Sequence, residues 1–213
     1  MIINVGCGMT PVEGALNADN SFSVYLAHHR PLFFLMKTLR LLSQENIACA
    51  EFSRAHGIVH MDCTRMELPD GCADVLYASH MVEHLTRAQT ARFLAEARRV
   101  LKPGGTLRLV LPDMRLLVEE YLCGHDCDRL VARTLLADET ESGFFARLRA
   151  LFFGYRGHRW MYDVPSVIAL LSGSGFTDIR ALPAGQTAIP APDGIDLFER
   201  ADESLYVEAT PAG

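Results

Sequence analysis

Residues 2–8 of the chain read Ile-Ile-Asn-Val-Gly-Cys-Gly, a short β-branched run that ends in a glycine-x-glycine loop. β-Branched residues favour strands, and glycine permits the sharp turn that follows a strand. Glycine also has no Cβ atom, so the backbone of such a loop can approach a ligand closely. The sequence therefore predicts a first strand over 2–5 that ends in a loop able to contact a ligand.

Strand-like and helix-like patterns alternate along the rest of the chain. Apolar and β-branched runs predict six further strands, at 15–19, 58–61, 73–79, 106–111, 176–182 and 204–209. Helical periodicity is found over about 23–55, 86–101 and 163–173. Alternating strands and helices imply crossover connections and a parallel sheet. The predicted fold class is α/β: a Rossmann-like, doubly wound, mostly parallel seven-stranded sheet with helices on both faces.

Length and composition predict one domain, 1–213, with helical insertions at about 22–56 and about 114–160. The chain has 213 residues, of which 49% are apolar, enough for a sizeable core. Its net charge of -6 disfavours nucleic acid as a partner, because general phosphate attraction requires a basic surface. The longest apolar run, 31–36, is too short to span a bilayer, so no transmembrane segment is expected.

The six cysteines are scattered along the chain, and they predict free thiols and a cytoplasmic location. One local group, Cys123-Gly-His125-Asp-Cys127, resembles a metal-binding sequence. It crowds three ligands into five residues without a second Cys/His pair at zinc spacing. The sequence therefore predicts no metal site.

Two aspartates follow predicted strands. Asp19 ends the second strand and Asp62 ends the third, so both are expected at the ligand-binding edge of a parallel sheet. A carboxylate can accept both hydroxyls of a ribose, or a hydrogen bond from an adenine amino group. Each aspartate alone could equally cap a helix or a turn. Pro11 occupies the position where a dinucleotide fingerprint requires its third glycine, so the combination favours adenosine without a pyrophosphate.

The ordered motifs resemble those of class I S-adenosylmethionine (SAM)-dependent methyltransferases of the type-11-like group, in particular predicted members with a shortened first glycine loop. The motifs that carry the resemblance are, in chain order, Val5-Gly6-Cys7-Gly8, Leu16-Asn17-Ala18-Asp19, His60-Met61-Asp62, residues 68–80, Glu83-His84-Leu85 and Leu101-Lys102-Pro103-Gly104-Gly105. The connection between Gly8 and Asp19 has only ten residues, too few for the helix that usually follows the first strand.

The resemblance implies a SAM site, with S-adenosylhomocysteine (SAH) as the product. It implies that the loop Gly6, Cys7 and Gly8 contacts the cofactor and that Asp19 binds the ribose. Asp62 and Cys63 are implied at the adenine, and the backbone of Ser79 and His80 near the methionine end.

SAM carries its own electrophile, so a general base is needed only when the acceptor starts protonated. The candidate catalytic residues are His84, just before a helix, and His158. Asp113, after the fifth strand, and His80 are further candidates. A structural role as a hydrogen-bonded cap is an equal alternative for His84, and His80 could act through its backbone alone.

These observations predict a SAM-dependent methyltransferase that acts on an unidentified acceptor, most simply a small molecule or a surface group. The alternative is a non-catalytic SAM- or SAH-binding subunit that works through a partner protein. A nicotinamide-dependent oxidoreductase is a third hypothesis, which Pro11 disfavours. The sequence predicts neither the attacking atom of the acceptor nor the oligomeric state.

Overall fold

The computed structural model describes residues 1–135 and 157–213. All seven predicted strands lie in these ranges: β1 (Ile2–Val5), β2 (Leu16–Asp19), β3 (Val59–His60), β4 (Ala73–Ser79), β5 (Leu101–Pro112), β6 (Phe176–Leu182) and β7 (Ser204–Pro211). They form one sheet in the order β3-β2-β1-β4-β5-β7-β6. Strand β7 runs antiparallel to both β5 and β6, and the other paired strands are parallel. The predicted fold class, a mostly parallel seven-stranded α/β sheet, is confirmed.

Helices connect the strands and flank the sheet. They are α1 (Phe22–His28), α2 (Arg30–Thr38), α3 (Gln44–Ala55), α4 (Arg87–Val100), α5 (Met114–Gly124), α6 (Cys127–Thr134) and α7 (Val164–Gly173), with a 3₁₀ turn at Val82–His84. The predicted helical region over 23–55 contains three separate helices, with breaks at His29 and at 39–43. None of the helices that the structure describes is long and apolar enough to cross a membrane.

Side chains cap the first turns of two of the predicted helices, α4 and α7. The Thr86 side chain accepts from the backbone N–H of Gln89, and the Gln89 side chain accepts from that of Thr86, a complete capping box for α4. Asp163 caps α7 in the same way. The single-domain assignment over 1–213 stays a prediction, and the part of the second predicted insertion at 136–156 lies outside the described residues.

Strand β5 begins earlier than predicted. The sequence placed its start at Thr106, whereas the structure pairs Leu101 with Ala73 and then Thr106 with Val75. Residues 102–105 form a bulge in which Gly105 lies tightly against β4. A Cβ atom there would meet the carbonyl oxygens of Ala73 and Asp74, each at 3.1 Å. The glycines therefore interrupt the strand pairing instead of preceding it.

One face of the sheet is covered by α4 and α7. The buried apolar residues of these helices are Phe93, Leu94, Ala97, Val100, Val167 and Leu171. The centre of the opposite face is covered by two loops, through Val12 before β2 and through Ile189 and Ile195 before β7. This follows from the short connection between β1 and β2, which has no room for a covering helix.

Candidate functional site

The loop after β1 is tied directly to the end of β2. Gly6 and Gly8 both have positive φ, at 68° and 51°, which glycine adopts without strain. The backbone N–H of Gly8 donates to Asp19 Oδ2 at 3.1 Å, and that of Ser21 donates to Asp19 Oδ1 at 2.7 Å. The Asp19 carboxylate thus fixes the glycine loop relative to the start of α1.

Two buried asparagines shape the rest of this short connection. Asn4 Nδ2 donates to Asn17 Oδ1 at 2.9 Å and to the carbonyl oxygen of Thr10 at 3.1 Å. Asn17 also exchanges hydrogen bonds with the backbone of Val12, through N–H to Oδ1 at 2.8 Å and Nδ2 to O at 2.9 Å. Backbone groups that a helix would have satisfied are therefore paired with side chains. No local sequence pattern indicates this pair.

Met81, just after β4, connects the loops that follow β1 and β3. A Cβ atom on Gly6 would lie 2.3 Å from Met81 Cγ, so only glycine fits there. The Met81 Sδ atom lies 3.8 Å from Cys63 Sγ. The structure thus brings together the predicted residues Gly6 and Cys63, with Met81 between them.

Asp62 lies at the same edge, after β3, and is exposed. Its Oδ1 accepts from both the backbone N–H and the hydroxyl of Thr64, each at 2.8 Å. Asp19 and Asp62 therefore make the turn hydrogen bonds that the structural alternative predicted. A carboxylate has about four acceptor positions, so these bonds leave capacity for a ligand on both residues.

The predicted cysteines are buried and poor nucleophiles. Burial, followed by the nearby Asp19 charge, raises the pKa of the Cys7 thiol to about 12. Burial and Asp62 raise the pKa of the Cys63 thiol to about 12 as well. Both side chains stay protonated at neutral pH and behave as small apolar groups.

A cleft of about 600 Å³ opens beside Asp19. The residues that line it are Asn20, Phe22, Tyr25, Leu32, Met36 and His60. Tyr25 packs edge-on against His60, with ring centroids 5.4 Å apart. The cleft has aromatic and aliphatic walls and lies next to polar groups at the ends of β2 and β3. Such a combination suits a flat heterocyclic ligand.

The side chain of His80 turns away from the glycine loop. Arg200 Nη1 donates to His80 Nδ1 at 3.0 Å, and His80 Nε2 lies 2.9 Å from Ser204 Oγ. Because arginine only donates, Nδ1 accepts, and Nε2 carries the proton and donates to Ser204. The imidazole is thus engaged with β7 and its preceding turn, and Ser79-His80 can contribute backbone groups to the edge.

The two predicted catalytic histidines, which are far apart in sequence, lie together. The ring centroids of His84 and His158 are 5.0 Å apart. The carbonyl oxygen of Glu83 accepts from the backbone N–H groups of Arg159 and Trp160, at 2.8 and 3.2 Å, which holds the segment at 157–162 against the 3₁₀ turn. Burial lowers the pKa of His158 below its usual range. The local sequence around Glu83 indicates no role for its side chain.

Asp113 begins α5 at the end of β5 and is almost fully buried. Its Oδ1 accepts from the backbone N–H of Arg115 at 2.9 Å, so it acts as a helix cap. Burial raises the pKa of its carboxyl above the usual range, with the Asp163 charge adding to the effect.

Comparisons with known proteins agree with this architecture. The sequence profile of the family described as "Methyltransferase domain" matches residues 37–109. A SAM-dependent methyltransferase from Methanosarcina mazei superposes with a TM-score of 0.53 at 16% identity, covering 99% of this chain and 92% of that one. A SAM-dependent methyltransferase from Thermotoga maritima gives 0.52 at 14% identity, covering 99% and 81%.

A chain of the Haloferax volcanii complex that contains the Trm112 methyltransferase activator superposes with a TM-score of 0.51 at 13% identity, covering 100% of this chain and 82% of that one. No curated protein matches the sequence significantly. At these identities the structures establish a shared fold. That fold, together with the sequence profile, is what the motif order in the sequence predicted.

Proposed function

Because a methyltransferase-domain profile matches residues 37–109 and the fold is that of SAM-dependent methyltransferases, we propose that the chain is an enzyme that binds SAM at the sheet edge around Gly8 and Asp19 and transfers its methyl group to a small molecule. SAM is the methyl donor of this family. The observation that carries the proposal is the bond from the Gly8 N–H to Asp19. This bond holds the Asp19 carboxylate beside Gly8. No heavy atom lies within 4 Å of the position that a Cβ atom of Gly8 would occupy, so a ligand has room there.

Asp19 suits the ribose of SAM. Each carboxylate oxygen accepts one backbone N–H, from Gly8 or Ser21, which fixes the orientation of the carboxylate. The remaining lone pairs can accept two adjacent hydroxyls at once, and a ribose provides such a pair. A preorganised acceptor avoids the cost of ordering a flexible side chain on binding.

The cleft beside Asp19 suits the adenine. Phe22, Tyr25 and His60 supply ring surfaces, and the remaining lone pairs of Asp62 can accept from the exocyclic amino group. Without a phosphate in the ligand, no helix N-terminus with free N–H groups is required, so the short glycine loop is sufficient.

The methionine end would lie near Ser79-His80, where the side chain of His80 is already engaged with Arg200 and Ser204. The Cys7 and Cys63 thiols remain protonated, so they do not compete with the acceptor for the methyl group. Bound SAM would supply a methyl group on a positively charged sulfur, and the protein residues would bind it, orient it and exclude water.

His84 and His158 are the proposed catalytic residues. The Nδ1 atom of His84 lies 3.1 Å from the carbonyl oxygen of Gly157, which can only accept, so Nδ1 carries the proton and Nε2 has a free lone pair. Nε2 is thereby able to take a proton from an acceptor hydroxyl or amine. His158 packs edge-on against this ring and limits its movement.

The alternative of a non-catalytic SAM- or SAH-binding subunit is not favoured, since the matching profile is that of a methyltransferase domain. We infer a cytoplasmic location from the cysteines. All six lie in the described part of the chain, none is in a disulfide, and two of them, Cys123 and Cys127, are exposed. Exposed thiols of this kind persist in a reducing compartment.

The test is SAH formation from SAM when purified protein is incubated with fractionated small-molecule extracts. Asp19→Asn is compared with Asp178→Asn, a change on β6 at the opposite edge of the sheet, where asparagine tolerates the positive φ of 50°. We expect one or more fractions to yield SAH with the wild type and Asp178→Asn, and much less with Asp19→Asn. Equal SAH formation by all three proteins, or none by any, contradicts the proposal.

A further inference from the structure

Glu83 is a fully buried carboxylate for which the described part of the chain provides no hydrogen bond. Its side chain has no exposed surface, and neither Oε1 nor Oε2 has a hydrogen-bond partner within residues 1–135 and 157–213. Burying an ionised carboxylate without a partner is costly, and buried charges in proteins are normally paired or bound to a metal ion. The surroundings of Glu83 therefore require an explanation.

The nearest side chains that could carry a positive charge, those of His80 and His158, form no hydrogen bond with the Glu83 carboxylate. His80 Nδ1 lies 3.4 Å from Glu83 Oε1, but this nitrogen accepts from Arg200 and so has no proton to donate. His158 Nε2 lies 3.9 Å from the same oxygen, beyond hydrogen-bonding distance.

His84 and His158 orient nitrogen lone pairs as metal ligands do. Metal-binding histidines usually donate the other ring N–H to a carbonyl or a carboxylate. His84 does so through Nδ1 to the Gly157 carbonyl oxygen at 3.1 Å, which leaves Nε2 unprotonated. His158 Nδ1 lies 3.3 Å from Met161 Sδ, and its Nε2 lies on the side of Glu83, 3.9 Å from Oε1.

We propose that Glu83, His84 and His158 bind a divalent transition-metal ion of the Zn²⁺ type. One ligand atom from each residue lies within 4.8 Å of the others. Ligands at ~2.0–2.2 Å from a tetrahedral zinc ion lie about 3.3 Å apart, so side-chain movements of ~1 Å close the site. Two imidazoles and one carboxylate form a known catalytic zinc set, which leaves a coordination position for water or a substrate atom.

The ligand types favour a borderline ion over a hard one. Mg²⁺ and Ca²⁺ prefer all-oxygen sites, whereas two imidazole nitrogens favour Zn²⁺, Co²⁺ and similar ions. The proposal departs from the prediction of no metal, which considered Cys123, His125 and Cys127. Those residues lie at the junction of α5 and α6 and are not ligands here.

Such an ion would join two segments at the sheet edge. Glu83 and His84 are in the 3₁₀ turn that follows Ser79-His80, and His158 belongs to the segment that pairs with Glu83 through backbone bonds. With the ion bound, His84 and His158 would hold it, and the ion would supply the activation of an acceptor oxygen that His84 otherwise provides. Metal binding is measured without SAM, so the failure of this proposal and that of the proposed function are distinguishable.

The experiment titrates metal-stripped protein with Co²⁺ and Zn²⁺ in a Cys123→Ser/Cys127→Ser background, which removes the exposed thiols as competing ligands. The readouts are Co²⁺ visible absorption and the Zn²⁺-dependent rise in Tm. We expect one ion per chain, and a rise in Tm of about 5–10 °C at a hundredfold excess over Kd. Glu83→Gln and His84→Asn should each weaken binding by about 100-fold or more.

Glu83→Gln also distinguishes a metal ligand from a carboxyl group that is buried for structural reasons alone. Without metal, the variant loses the buried charge and should melt at a higher temperature than its parent. With Zn²⁺, it should melt lower, because it lacks the metal-dependent stabilisation. The proposal is overturned if the wild type binds metal but the Cys123→Ser/Cys127→Ser protein does not. It is also overturned if binding is unchanged in both Glu83→Gln and His84→Asn. His84 is partly exposed, so His84→Asn remains informative if Glu83→Gln folds poorly.

Discussion

The backbone N–H of Gly8 donates to Oδ2 of Asp19 at 3.1 Å, and this bond joins the glycine loop to the end of the neighbouring strand. We predict that Asp19→Asn lowers SAM affinity by at least about tenfold, since the loss of one charged hydrogen-bond acceptor costs about 1.5–3 kcal/mol. Fluorescence or calorimetric titration of the folded variant measures the change. Asp178→Asn should keep the wild-type affinity, and an unchanged affinity in Asp19→Asn would remove this residue from the site.

Gly6 and Met81 are in close contact, which predicts a strong interaction between substitutions at these positions. Gly6→Ala places a Cβ atom 2.3 Å from Met81 Cγ at a φ of 68°, and we expect it to destabilise the protein by about 2–4 kcal/mol. Urea denaturation of Gly6→Ala, Met81→Ala and the double variant measures the coupling. The double variant should be more stable than the sum of the single effects predicts. Strict additivity would mean that the two residues do not clash.

The buried ion pair between Arg108 and Glu208 links β5 to β7. Arg108 Nη1 donates to Glu208 Oε1 at 2.6 Å, and both side chains are almost inaccessible. Glu208→Ala leaves an unpaired buried guanidinium and should lower the free energy of unfolding by about 3–5 kcal/mol. The exposed pair Arg115–Glu119 is the matched control, and Glu119→Ala should cause no measurable change. Similar effects of the two substitutions in chemical denaturation would contradict this assignment.

The buried carboxyl of Asp113 predicts that replacing it with asparagine stabilises the protein at neutral pH but not in acid. Burial raises the pKa of its carboxyl in the folded state, so the contribution of Asp113 to stability is greatest when the carboxyl is protonated and falls as pH rises through that raised pKa. Asp113→Asn keeps the cap acceptor without the charge. It should therefore be more stable than the wild type at pH 7, with the difference vanishing toward pH 3. Thermal melts over this range measure it.

Asp163 is the control with the opposite sign. Hydrogen bonds from the side chain and backbone of Ser166 lower the pKa of its carboxyl, so its contribution to stability is present at neutral pH and lost in acid. Asp163→Asn should be less stable than the wild type at pH 7, and equal to it at low pH. If both variants were more stable than the wild type at pH 7, or both less stable, burial would not be the cause of the raised pKa of Asp113.

The strand ends were predictable from sequence because they depend on local signals. A β-branched run followed by Gly6 or by Asp19 indicates a strand and its end within a few residues. The predicted start of β5 was wrong because Gly104 and Gly105 indicate a turn equally well before a strand or inside it. Only the pairing with β4 distinguishes these two positions.

The side-chain networks could not be predicted from local patterns. Asn4 and Asn17 look like ordinary residues of short strands, and their partnership depends on the parallel register that places them side by side. Glu83 and His158 meet only because the segment at 157–162 folds back onto the turn after β4. An acidic residue next to His84 was the only local signal of this cluster.

SAM binding is tested most directly by calorimetric titration of the wild-type protein with SAM and SAH, with NAD as the control ligand. We expect SAM and SAH to bind at one site per chain with micromolar affinity, and NAD to give no heat of binding. Absence of binding by both SAM and SAH to the folded protein, or binding of NAD instead, would contradict this expectation.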